Sequence, residues 1–211
     1  MSMQISVFES ARAEFSLSIE EGSASSICLK QVHTSIGYRA EEISNASSIP
    51  EGDFLWTTRP KLKIAVKVAD CSAILIEGQN SEGKFVAAIH AGWRGTASGI
   101  IQNAVKGIQP EGFVRVWISP SICRQHFEVG PEVIEALGPE SKRFSKASQN
   151  SGKVLLDLKS FQTEQIKAQI PHAQIFASSL CTFCQTEFFS YRRSQGKLPA
   201  GHRHFASIQR F

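Results

Sequence analysis

The sequence is poor in several things whose absence narrows its function. It has two methionines, two tyrosines and five cysteines in 211 residues, and no apolar run approaches the roughly 20 residues needed to span a membrane. An odd number of scattered cysteines argues against a disulfide framework and for a reducing compartment. The first 30 residues lack a basic start followed by a continuous apolar core, so no signal peptide is expected. Charge of either sign is not in excess: 23 Lys and Arg against 19 Asp and Glu leave +4, which favours anionic small molecules without making a nucleic-acid footprint. A cytoplasmic protein that binds neither nucleic acid nor membrane is the expectation, and its oligomeric state is left open.

What is present is enough for one globular domain, 1–211, with 42% hydrophobic residues. Strand signals crowd the first half. KIAVKVADCSAILI (63–76) is β-branched but interrupted at Ala69-Asp70-Cys71, predicting two strands or one bent strand. KFVAAIHA (84–91) and FVRVWIS (113–119) read as further strands, and residues 174–179 as another. Ala97, Ile100, Ile101, Ala104, Val105 and Ile108 form an apolar stripe at helical spacing, with Pro110 beyond its end. PEVIEALG (131–138) predicts a short helix, and Asp157 is placed to cap another running to about Gln169. The expected class is α+β, with layered mixed or antiparallel β-sheets flanked by helices rather than repeated βαβ units. Two serine-rich stretches, 41–53 and 141–153, read as loops and not as domain linkers.

The chemistry-bearing side chains sit at element ends. KQVH (30–33) ends a predicted strand on His33, VADCS (68–72) sets Cys71 at the break in an apolar run, and AIHAG (88–92) sets His90 at a strand end. Two imidazoles and one thiolate can make a three-ligand zinc set whose fourth position stays open, the catalytic pattern. The same residues also allow a metal-free hydrolase with Cys71 as nucleophile and His90 as base, or plain core packing. In HAGWRG (90–95) a helix start, Arg94 and close-approach glycines including Gly95 offer an anion site. FFSYRR (188–193) mixes Tyr191, Arg192 and Arg193, which suits ring stacking and anion pairing. CTFC (181–184) lacks a second pair and reads as packing or local positioning. Cys28 and Cys123 read as inert packing residues, and His126, His172, His202 and His204 carry little signal.

KQVH, ADC (69–71), HAGWRG, CTFC and FFSYRR, in this order and spacing, make the chain resemble the YfiH or laccase-domain family, also called the multicopper polyphenol oxidase family. The resemblance runs from about Lys30 to the C-terminal residues. It implies an α+β fold related in shape to the deamidase toxin of the cytotoxic necrotising factors, and zinc held by His33, Cys71 and His90. It also implies purine nucleoside phosphorolysis, giving free base and ribose 1-phosphate from adenosine, inosine or guanosine, with possible adenosine deamination. The implied partners are a purine nucleoside and phosphate, the latter on Arg94 and Gly95 with Tyr191, Arg192 and Arg193 nearby. Asp70, beside Cys71, is the expected acid–base group, and Arg94 the expected catalytic cation. Copper replaces zinc in the alternative polyphenol oxidase reading, although an axial methionine could come only from Met1 or Met3. A non-catalytic binding module is a further alternative. Two departures stand out: the arm before about residue 30 is shorter than usual, and SPSICRQHFEV (119–129) has Ser119 and Cys123 where the family has glycines.

Overall fold

The computed structural model describes residues 2–5, 10–16, 26–43, 46–199 and 201–211, so part of the N-terminal arm and part of the 41–53 stretch lie outside the described residues. Three sheets are present among them. The first contains β1 (Ser2–Ile5), β2 (Ala11–Ser16), β3 (Ser26–Ile27), β6 (Lys63–Val68) and β14 (His204–Arg210) in the order β1-β2-β14-β6-β3. The second is six-stranded. Its members are β4 (Gly37–Arg39), β5 (Phe54–Thr57), β7 (Ser72–Asn80), β8 (Gly83–Ala91), β9 (Glu111–Ile118) and β13 (Gln174–Ala177), ordered β13-β9-β7-β8-β5-β4. A small third sheet joins β10 (Glu128–Val129), β12 (Val154–Leu156) and β11 (Ser145–Ala147). Most pairings are antiparallel, while β3·β6, β4·β5 and β9·β13 are parallel. The α+β expectation, with mixed sheets, is borne out.

The layering follows from alternation along the strands. Ala73 and Leu75 of β7 and Val86 and Ala88 of β8 face the first sheet, packing with Phe15, Ile64, Val66, Ala206 and Ile208. Ile74, Ile76, Ala87 and Ile89 point the other way, onto Ile100, Ile101, Ala104 and Ile108 of a helix. Sheet, sheet and helix layers thus bury the central strands on both faces, which is why they read as continuous apolar runs.

The interrupted run 63–76 is two strands in two different sheets. Residues 69–71 form the crossover, and Asp70 takes a left-handed conformation there, φ 83°. The predicted helix after HAGWRG is divided. A short α2 (Trp93–Ala97) is followed by Gly99 at φ 79°, and α3 (Ile100–Ile108) carries the apolar stripe; α1 is the turn-long Ala40–Ile43. The helices α4 (Pro131–Leu137) and α5 (Leu158–Gln169) lie where expected, and the Asp157 carboxylate accepts the Ser160 amide at 3.0 Å as a cap. His33 differs from expectation: it ends no strand but lies in a loop at φ 63°.

Candidate metal centre and its cavity

His90 is brought to the site by β8. Its partner across the ladder is Ala73, so the residues just before β7 arrive beside the end of β8. Cys71 therefore meets His90 because the chain changes sheets immediately before β7. His33 comes from the 30–36 loop. Its ring centroid lies 4.8 Å from that of His90, and one ligand atom from each of His33, Cys71 and His90 falls within 4.8 Å of the others. His33 is exposed, Cys71 half-buried and His90 buried, so the cluster opens on the His33 side.

Asp53 is the group the sequence did not announce. One carboxylate oxygen lies 2.7 Å from His90 Nδ1, and its carbonyl accepts the His90 amide at 2.8 Å. The other oxygen accepts from the Thr34 amide at 2.7 Å, the Thr34 hydroxyl at 3.0 Å and the Val32 amide at 3.3 Å. A single buried carboxylate therefore orients one imidazole directly and grips the backbone on both sides of the other. With Nδ1–H donated to Asp53, Nε2 is the nitrogen that would exchange its proton for a metal ion, the second-sphere arrangement typical of ligating histidines. The only sequence trace of this role is an acid directly preceding the wholly apolar Phe54-Leu55-Trp56.

Electrostatics follow the geometry. Burial alone would raise the Cys71 thiol, but hydrogen bonds and charge from His33 and His90 bring it down to about 6. Burial would lower His90, yet Asp53 and Cys71 raise it to about 9. Burial likewise opposes ionisation of Asp53, and His90 with the Thr34 donors overcomes this and lowers it to about 2. The centre favours a thiolate and an ionised supporting carboxylate at neutral pH. A His₂Cys donor set with an oriented imidazole and one open side fits a zinc-like ion.

Gly92 of HAGWRG serves this cluster through its size. A Cβ there would lie 3.0 Å from Cys71 Sγ and 3.1 Å from the His33 ring. Gly95 is a packing glycine: its Cβ would sit 3.0 Å from the Thr34 carbonyl oxygen, and it does not reach the cavity.

The cluster forms the floor of a cavity of about 730 Å³. Lys30, Lys67, Arg94, Arg192 and Arg203 line it, together with an aromatic and aliphatic wall that includes Trp93, Phe127, Tyr191 and Ile122. Arg94 is exposed and stacks on Trp93, its guanidinium carbon 4.4 Å from the ring centroid. Tyr191 is half exposed. Because α2 is barely more than one turn long, cationic side chains rather than a helix start dominate the positive field here.

Besides Gly95, two expected site residues are placed differently. Arg193 does not line the cavity; its guanidinium donates to the carbonyls of Thr182, Phe183, Gln185 and Phe188. Asp70 borders the cavity, but its oxygens accept the Thr182 hydroxyl at 2.6 Å, the Ser190 hydroxyl at 3.0 Å and the Arg192 amide at 2.7 Å. Its carbonyl also accepts the Ile122 amide at 3.0 Å. This is the bonding of a structural hub. Arg192 keeps a place on the cavity while one of its nitrogens donates to the His126 and Glu128 carbonyls.

Comparison with known proteins agrees with these features. A family model for the multi-copper polyphenol oxidoreductase laccase matches residues 7–208. Purine nucleoside phosphorylase YfiH of Shigella flexneri is 35% identical over 147 residues, 68% of this chain and 59% of that protein. A purine nucleoside phosphorylase of Haemophilus influenzae is 33% identical over 174 residues, 79% of this chain and 68% of that one. Adenosine deaminase RL5, from an unknown prokaryotic organism, is 35% identical over 173 residues, 74% and 63% of the two chains. The match thus spans about three fifths of the Shigella protein's length. Among solved structures, protein NMB0706 of Neisseria meningitidis shares the fold at a TM-score of 0.83 and 24% identity, covering 100% of this chain and 98% of that one. YlmD of Geobacillus stearothermophilus gives 0.75 at 30% identity, covering 88% and 73%. With the motifs, the fold and a family model over nearly the whole chain in agreement, this protein belongs to the YfiH/laccase-domain family.

Proposed function

We propose that the chain is a zinc-dependent purine nucleoside enzyme that splits the glycosidic bond with phosphate and also deaminates adenosine. The observation that carries this reading is the Asp53-oriented His33/Cys71/His90 cluster at the floor of a cation-lined cavity. The names of similar proteins, purine nucleoside phosphorylases and an adenosine deaminase, supply the substrate class. Zinc held by the three ligands would act as a Lewis acid on a water or substrate oxygen.

The chain's own residues account for the rest. Trp93, Phe127 and Tyr191 offer ring faces for a flat base. Arg94 and Arg192, with Lys30, Lys67 and Arg203, supply charge for phosphate. Cleavage at C1′ builds positive charge on the ribose as the base leaves with the bonding pair, and a phosphate held by arginine against that carbon would stabilise this state by position and by charge before bonding to C1′. Asp70 acts by position: its acceptors hold the Ser190–Arg192 backbone so that Tyr191 and Arg192 face the cavity. Phosphorolysis and deamination are separated by product. Metal-loaded protein given adenosine and phosphate should release adenine and ribose 1-phosphate, and adenosine alone should give inosine. Chromatography showing none of these with a fully loaded sample refutes the assignment. Cys71→Ser should cut turnover by at least about two orders of magnitude, the scale on which removal of one electrostatic catalytic contact is felt.

A metal-free cysteine hydrolase is the competing reading, favoured by a Cys71 thiol lowered to about 6 beside His90. Chelation leaves that activity intact and alkylation of Cys71 abolishes it, whereas the zinc enzyme loses activity to chelator and recovers it on metal addition. The polyphenol oxidase reading has the family model's description in its favour. It requires stoichiometric copper and a visible thiolate-to-copper charge-transfer band.

A further inference from the structure

Away from the cavity floor, two short turns bring four soft ligands together. Cys123 and His126 belong to Cys-x-x-His in the 119–129 segment, and Cys181 and Cys184 to the Cys-x-x-Cys of CTFC. One ligand atom from each lies within 4.8 Å of the others. His126 Nδ1 is 3.2 Å from Cys123 Sγ and 3.4 Å from Cys184 Sγ. All the cysteines are free thiols. A tetrahedral zinc with ordinary bond lengths has S···S edges of about 3.8 Å and S···N edges of about 3.6 Å. The two S···N distances to His126, 3.2 and 3.4 Å, are close to such an edge, and the other ligand atoms fall within 4.8 Å of one another. We propose that Cys123, His126, Cys181 and Cys184 form a second, structural zinc centre, separate from the His33/Cys71/His90 cluster.

Three features of the surroundings fit a closed metal site better than a reactive dithiol. The Cys181 sulfur accepts from the backbone amides of Cys123, at 3.3 Å, and of Phe183 and Cys184, the donors a metal-bound thiolate uses to spread its charge. The His126 ring is stacked on Phe183, centroids 4.2 Å apart and planes at 17°, which fixes its direction toward the sulfurs. The two turns are already joined by a bridge between Ser121 and Cys181 and by the Thr182 amide donating to the Ser121 carbonyl at 3.2 Å. Four protein ligands, three of them thiolates, leave no open position, so the centre is structural rather than catalytic.

Its place in the fold gives it a purpose. The 119–129 segment contributes Ile122 and Phe127 to the large cavity. CTFC is tied through Arg193, whose guanidinium donates to Thr182, Phe183 and Gln185 carbonyls, to the segment that contributes Tyr191 and Arg192. A metal here would staple two cavity walls that no disulfide joins.

Metal analysis of the full chain tests this without an activity readout. Wild-type protein and Cys71→Ser, Cys184→Ser and His126→Ala variants are purified identically and assayed for zinc per chain. Cys71→Ser should retain the second ion, while Cys184→Ser and His126→Ala should each lose one equivalent relative to wild type. Zinc absorption spectroscopy of Cys71→Ser should then show three sulfur and one nitrogen neighbours. As a control against misfolding of the cluster variants, cobalt is also loaded into the Cys71→Ser protein, where tetrahedral ligand-field bands with strong thiolate charge transfer are expected. Equal metal content in wild type and both cluster variants, absence of a sulfur-rich metal in Cys71→Ser, or a Cys–Cys disulfide within the cluster in the isolated protein would each overturn the proposal. The result does not depend on the nucleoside reading: an inactive protein with an intact second centre sinks that reading alone.

Discussion

Asp53 carries more of the candidate metal centre than any residue except the ligands. It orients His90 through Nδ1, and its second oxygen fixes the backbone at Val32 and Thr34, around a His33 held at positive φ. A non-glycine residue in that conformation costs about 1–3 kcal/mol and persists only where its neighbours over-determine it. Asp53→Asn keeps the shape but gives up the charge and can present an amide nitrogen to His90. Zinc affinity at the first centre is expected to fall about 10- to 100-fold, measured by competition with a chromophoric chelator in a Cys184→Ser background so that one site is read. An unchanged affinity would show that ligand geometry does not depend on this carboxylate. Cys71 and His90 were legible in the sequence because each interrupts or ends an apolar run, and His33 through the KQVH motif, although the strand expected to end on it is a loop. Asp53 was not, since an acid ahead of a strand looks the same whether it faces solvent or an imidazole. His126 was illegible for a different reason: Cys123 is three residues away, but Cys184 lies 58 positions away, and spacing within either turn reveals nothing of the other.

The decisive element is the crossover at 69–71. The break in the β-branched run predicted two strands or one bent strand, but only pairing showed that β6 and β7 enter different sheets, because hydrophobic alternation records which face is buried and not against which layer. The helix after HAGWRG shows the converse. Its apolar stripe is real and lies on α3, yet Gly99 at positive φ separates it from α2, a break that periodicity passes over. Within the crossover, Asp70→Asn tolerates the left-handed backbone and keeps one oxygen, while surrendering part of the bonding to Thr182, Ser190 and the Arg192 amide. A loss of about 2–3 kcal/mol in unfolding free energy is expected, since hydrogen bonds to charged groups are each worth about 1.5–3 kcal/mol. In nucleoside turnover the effect should appear mainly as a raised KM, because Tyr191 and Arg192 loosen while the metal ligands stay. Denaturant unfolding and steady-state kinetics on the same preparation check both halves, and a collapsed kcat at unchanged KM would return Asp70 to an acid–base role.

For the whole molecule, stability is tied to β14. His204 is fully buried, its Nε2 accepting the Phe189 amide at 2.7 Å and its Nδ1–H donating to the Ser16 carbonyl at 3.1 Å. The Phe189 bond needs a neutral imidazole, because a protonated Nε2 cannot accept, and burial lowers the His204 pKa to about 4, from an ordinary value near 6.5. The unfolded chain therefore binds this proton first as pH falls. Its contribution is to destabilise the fold progressively between about pH 6.5 and 4, by roughly 3 kcal/mol at the lower limit, with no effect above that window. Denaturant unfolding from pH 7 to 4.5 should show the decline, and an NMR titration should find the His204 ring neutral at pH 5. A ring titrating near 6.5 would remove this cause.

The position of β14 has a further consequence for how the protein is made. Residues 204–210 pair with β2 on one side and β6 on the other, and the most distant partners, Arg210 and Ala11, are 199 positions apart. Until they emerge from the ribosome, the nascent chain carries two half-finished ribbons with sticky borders and an uncovered greasy face. Pairing over such distances raises contact order, which slows folding in general and lengthens the time that unpaired edges stay open to wrong partners.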